Sequence, residues 1–101
     1  MTEDAVRLIM DVTRTAMAGR YIVGRLQDYS LNSKAFAMLR NTLGLPIVVH
    51  NGYILLAFPK KLKAWTRDGR RVVVVARTDN SWVGRNGTWW GLRELHFDKD
   101  E

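Results

Sequence analysis

Cysteine is absent from the 101 residues, which excludes a disulfide framework, thiolate zinc sites and a cysteine nucleophile. Histidine occurs only at His50 and His96, far apart and without a paired carboxylate motif. No metal-ligand spacing is present, and no cofactor is expected. The glycines of Gly84-Arg85-Asn86-Gly87 form neither a P-loop nor a dinucleotide fingerprint and read as turn residues. The longest apolar run, Tyr53 to Phe58, is strand-sized and far short of the ~18 residues of a membrane span. Met1-Thr2-Glu3-Asp4 is acidic where a targeting peptide is basic. The expectation is a cytoplasmic protein with no membrane partner.

Acidic residues are scarce in one place. Between Pro59 and Arg93 only Asp68 and Asp79 oppose nine lysines and arginines, a net charge of +7, whereas the rest of the chain sums to −1. The same stretch holds all four tryptophans, Trp65, Trp82, Trp89 and Trp90. Clustered cations interleaved with large aromatic rings are what a polyanion with stackable bases requires. Apolar content of 47% and charged content of 26% are those of a folded chain. The size suits one modest core, and a single domain over 1–97 with an acidic tail at 98–101 is expected.

The periodicity predicts an α+β fold. Thr2 is a candidate N-cap, with Glu3 and Asp4 where the helix dipole favours anions. Ala5, Leu8, Ile9, Val12 and Ala16 then mark one face of a helix over 3–18, widened by Val6, Met10 and Met17 and stopped at Gly19. Residues 20–29 suit a strand or a short helix equally. Ser30-Leu31-Asn32-Ser33 offers several N-caps for a helix over 33–43, with Ala35, Phe36, Leu39 and Leu43 on its apolar face and Gly44-Leu45-Pro46 ending it. Beyond Pro46 the period becomes that of strands. Asn51-Gly52 predicts a two-residue hairpin pairing Val49 with Ile54 and Ile47 with Leu56, both strands being inner. Two-residue turns are also expected at Asp68-Gly69 and Asn86-Gly87. They set Arg67 beside Arg70, Trp65 across from Val72, Trp89 against Gly84 and Trp90 against Val83. Whether 59–65 is helix or strand is undecided, because proline suits a first helical turn. The expected architecture is two N-terminal helices on an antiparallel meander of about four to six short strands.

The candidate nucleic-acid surface consists of Lys60, Lys61, Lys63, Arg67, Arg70, Arg71 and Arg85 for phosphates, with Trp65 and Trp89 as the exposed stacking pair. At least two of the four tryptophans are expected to be largely buried. The partner is DNA or RNA. The alternative is an acidic protein or nucleoprotein gripped by an inhibitor or accessory factor, since arginine and tryptophan also dominate protein interfaces. A winged-helix arrangement, with Lys34, Arg40 and Asn41 on a recognition helix, has the right order but an uncharged wing. In size, charge and helix-then-sheet order the chain is also similar to the RelE-like ribonuclease toxins. That resemblance implies arginines on a scissile phosphate and proton exchange by His50, Tyr53 or His96. No residue is assigned a catalytic role.

Overall fold

A computed structural model describes residues 2–97; the acidic tail expected at 98–101 lies outside the described residues. The fold is α+β: two helices and seven strands, all paired antiparallel. The contacts divide the chain into two compact units at Leu56/Ala57.

The first unit begins with α1 (Glu3–Met17), whose N-cap Thr2 accepts the Ala5 N–H. At the other end Gly19 is left-handed, and the N–H groups of Gly19 and Arg20 donate to the carbonyls of Ala16 and Thr15. This double bond pattern satisfies carbonyls that a helix end otherwise leaves open. Ala5, Leu8, Val12 and Thr15 are buried. Thr15 therefore takes the place expected of Ala16, which is exposed, and spends its hydroxyl on the Asp11 carbonyl at 2.6 Å. Val6, Met10 and Met17 do not widen the buried face: they are 45%, 45% and 83% exposed.

Residues 20–29 resolve into both candidate structures, β1 (Ile22–Arg25) and one 3-10 turn over Leu26–Tyr29. The turn leads into α2 (Ser33–Leu43), capped by Asn32 and closed by left-handed Gly44, with the residue range expected from sequence. Strand β2 (Ile47–His50) and the start of β3 (Tyr53–Thr66) pair Ile47 with Leu56 and Val49 with Ile54, in the expected register. Asn51 and Gly52 both have positive φ, as a mirror-image two-residue turn demands. β1 pairs with the other side of β3, so β3 is an inner strand. β2 pairs with β3 alone among the described residues, and Val49 is exposed, so β2 is an edge strand and not the inner one expected. Leu8, Val12, Tyr29, Phe36, Ile47 and Ile54 form the core of this unit.

Tyr29 locks the 3-10 turn to α1. Its hydroxyl donates to Asp11 and the Arg7 guanidinium lies 4.7 Å from its ring centre. Burial, then the bond to Asp11, pushes its pKa from 10.0 up to about 12. A raised folded pKa means that the neutral ring stabilises the fold in full below pH 10 and progressively less as pH rises toward 12. The stability advantage of the native chain over Tyr29→Phe therefore narrows across that window. Urea unfolding followed by circular dichroism at several pH values measures it, and a gap independent of pH would refute the account.

The second unit contains the rest of β3 together with β4 (Arg71–Arg77), β5 (Ser81–Gly84), β6 (Trp89–Gly91) and β7 (Leu95–Phe97). The ambiguous 59–65 segment is strand. Between the pairs Ala57↔Ala76 and Leu62↔Val74 the β3–β4 ladder is broken, and Pro59 lies in that bulge, where its missing N–H costs no ladder bond. Ala64, Val74 and Leu95 are the buried core, with Phe58, Val72, Trp82, Trp90 and Phe97 packed on it.

Candidate functional site

Two hairpin tips build the site, and both depart from the expected register. At the first, the Thr66 N–H donates to Arg70 O and the Gly69 N–H to Thr66 O. At the second, the Gly84 N–H donates to Thr88 O and the Gly87 N–H to Gly84 O. Each is a three-residue loop, Arg67-Asp68-Gly69 or Arg85-Asn86-Gly87, with only its glycine left-handed (φ 89° and 87°). This is a type I turn followed by a glycine bulge. The Asx side chains supply the reason. Asp68 accepts the Thr66 hydroxyl, and Asn86 accepts both the hydroxyl of Thr88, at 2.8 Å, and its N–H. These bonds hold the Asx residues at negative φ, where a mirror-image turn would need them positive.

The extra loop residue moves every partner by one. Trp65 pairs with Arg71 instead of Val72, Trp89 with Val83 instead of Gly84, and Trp90 with Trp82 instead of Val83. Neighbouring strand residues point to opposite faces. Trp82 and Trp90 thus pack on the core of the unit, while Trp65 and Trp89 point away from it. Trp89 is 60% exposed. Trp65 is half-buried, stacked on His96 with ring centres 6.2 Å apart and with the Arg71 guanidinium 5.8 Å from its ring. Trp82 and Trp90 keep only a minor part of their surface exposed and pack on the core, in line with the expectation that at least two tryptophans are largely buried.

The cations sort into engaged and free. Arg67 does not stand beside Arg70: its Nε and Nη2 donate to the Arg93 carbonyl at 3.1 and 2.7 Å, fastening the loop after β6. Arg77 is spent on the carbonyls of Thr78 and Asp79 and on the Trp82 ring. Lys60, Lys61 and Lys63 lie exposed along β3.

Arg70, Arg71 and Arg85 are different, because they line one open groove of about 460 Å³ between the two tips. Thr66, Val72, Val73, Asn86, Thr88 and Trp90 complete it. The first paired positions of β4 and β5 are Val74 and Gly84, and beyond them the Arg85 N–H reaches Val73 O. The groove lies past these contacts, toward the hairpin tips. Arg70 holds the Asp68 carboxylate at 3.2 Å and lies 5.8 Å from the Trp90 ring centre. The Thr66 hydroxyl and Arg70 keep the Asp68 pKa below the ordinary carboxylate value. Arg85 engages no acceptor side chain among the described residues. The Trp90 Nε1–H is buried and has no acceptor among the described residues.

No family model, curated protein or solved structure matches this chain. The site is therefore judged on its own chemistry.

Of the nine residues singled out from sequence, the structure brings Arg70, Arg71 and Arg85 to one groove, with Trp65 beside Arg71. It assigns Arg67 to a structural bond and leaves the three lysines and Trp89 outside the groove lining. Sequence reasoning missed Thr66, Val72, Val73, Asn86, Thr88 and Trp90. The signal was present in the repeat of Arg-Asx-Gly at both tips with a threonine adjoining each loop.

The first unit holds the other candidates. The winged-helix reading needs a short helix over 20–28 before helix 33–43 and the hairpin, but strand β1 and one 3-10 turn occupy that segment. Arg40 is also drawn back, its Nε donating to Asn41 and its guanidinium lying 5.7 Å from the Phe36 ring centre. His50 and Tyr53 face each other across the Asn51-Gly52 turn. They belong to a different unit from the arginine groove, and His96 is stacked on Trp65. Among the described residues, no helix is long and apolar enough to cross a membrane.

Proposed function

We propose that this protein binds single-stranded nucleic acid through the second unit. One observation carries the reading: Arg70, Arg71 and Arg85, brought by two hairpins, line one open groove with Trp90 in its wall and one carboxylate opposing them. Guanidinium forks suit phosphate oxygens, and an indole face accepts any base, so backbone contact without sequence readout is expected. The exposed lysines of β3 extend the cationic surface, and Trp89 offers a second stacking face. A groove of about 460 Å³ falls within the range of small-ligand pockets, roughly 300–1,000 Å³. It suits a nucleotide-scale feature better than the side of a duplex.

A salt titration of binding to single-stranded and duplex DNA and RNA tests this. Affinity for single strands falls linearly with salt on a log–log plot, with a slope of about −0.7 per phosphate contacted. Tryptophan fluorescence is quenched as bases stack. Failure of every nucleic acid to bind at low salt sinks the reading and favours the second one, an acidic protein or nucleoprotein partner whose carboxylates occupy the same arginines.

A further inference from the structure

We infer that the groove between the two Arg-Asx-Gly tips recognises the terminal phosphate of a nucleic-acid strand, a phosphomonoester rather than an internal phosphodiester. The inference rests on the nucleic-acid reading and narrows it. Charge is the first argument. Arg70, Arg71 and Arg85, less the Asp68 carboxylate paired with Arg70, leave a net +2 around the groove. An internal phosphodiester carries one negative charge, whereas a phosphomonoester approaches two at neutral pH, its second pKa being about 6. The terminal group matches the groove; the internal one leaves a guanidinium uncompensated.

Donor count is the second argument. A monoester presents three outer oxygens, each an acceptor of more than one hydrogen bond. Arg70 and Arg71 from one hairpin and Arg85 from the other bring guanidinium donors to the lining of one groove, whereas the hydroxyls of Thr66 and Thr88 there already donate to Asp68 and Asn86. The Trp90 Nε1–H, without an acceptor of its own, belongs to a side chain in that lining. Geometry is the third. The groove is bounded on two sides by separate hairpin tips, a shape suited to receiving a strand's end.

The test is calorimetric titration of the full chain with one short oligo(dT) in three forms: 5′-phosphorylated, 3′-phosphorylated, and hydroxyl at both ends. One phosphorylated form binds about tenfold tighter than the hydroxyl form, equivalent to ~1.4 kcal/mol, and the two phosphorylated arms identify which end is read. Arg85→Gln, at an exposed tip, abolishes that preference while the melting temperature stays unchanged. Trp90→Phe, which keeps a ring on the core and removes the donor, reduces it. Equal affinity for all three forms overturns the inference and leaves the nucleic-acid reading standing. Absence of binding to all three at low salt overturns both.

Discussion

Replacing Arg70, Arg71 and Arg85 together by alanine lowers affinity for single-stranded oligonucleotides by about a hundredfold or more, for every base sequence alike. The estimate takes about 1 kcal/mol for each charged contact removed, below the ~1.5–3 kcal/mol of hydrogen bonds to ionised groups because the groove is open to solvent. The slope of log affinity against log salt flattens by about two, because each lost phosphate contact withdraws ~0.7 of a counterion on a single strand. The three side chains line one groove from two tips, so the loss is shared among neighbours and need not be additive. Two comparisons keep the result specific. Arg67→Ala removes a side chain bonded to the Arg93 carbonyl; it reads chiefly in thermal stability and leaves the salt slope nearly unchanged. Lys63→Ala, on the exposed run of β3, changes the slope by less than one contact. A triple variant that loses binding to one base sequence only would contradict readout by phosphate charge, and an unchanged slope would remove the groove from the interface.

Phe36→Ala lowers the unfolding free energy of the first unit by about 3–5 kcal/mol, the usual cost of emptying a buried phenylalanine site. The magnitude follows from how α2 is held. Phe36 is 3% exposed and is the buried side chain of that helix, set among Leu8, Val12, Tyr29, Ile47 and Ile54. Leu39 and Leu43 are only half-buried, so no second anchor on α2 takes up the load. A chain of this size has a total stability of about 5–15 kcal/mol, and the change removes a large part of it. Urea unfolding by circular dichroism shows a lower midpoint with little change in slope. Met38→Ala, whose side chain is 61% exposed, stays within about 0.5 kcal/mol of the native chain. A Phe36 variant as stable as the Met38 variant would mean that α2 is held by something other than its buried ring.

Local chemistry accounts for what sequence alone determined. Both helices were legible to within a residue or so, because Thr2 and Asn32 cap them, Gly19 and Gly44 end them, and Pro46 forbids continuation. The Asn51-Gly52 hairpin and its register were legible because a mirror-image turn leaves one way to pair its strands. The concentration of charge and tryptophan between Pro59 and Arg93 needed only the composition.

Tertiary structure decided the rest, for three physical reasons. Exposure of Val6, Met10 and Met17 depends on which flank of α1 meets the core; a widely apolar helix does not reveal that in advance. The same tertiary packing pins Tyr29 on α1 and with it the 3-10 turn, where local propensity was evenly split. At Asp68 and Asn86 the Asx–Gly signal was correct, but side-chain bonds with Thr66 and Thr88 chose the three-residue loop over the two-residue one. In a period-2 structure a slip of one residue changes every cross-strand partner. It gave Trp65 an arginine instead of a valine and paired Trp90 with Trp82. Which cations are free was likewise invisible, since Arg67 and Arg77 differ from Arg85 only in the carbonyls that the fold brings within their reach. Sequence determined that a basic, aromatic surface exists; the loop bonds determined that three of its arginines share a groove.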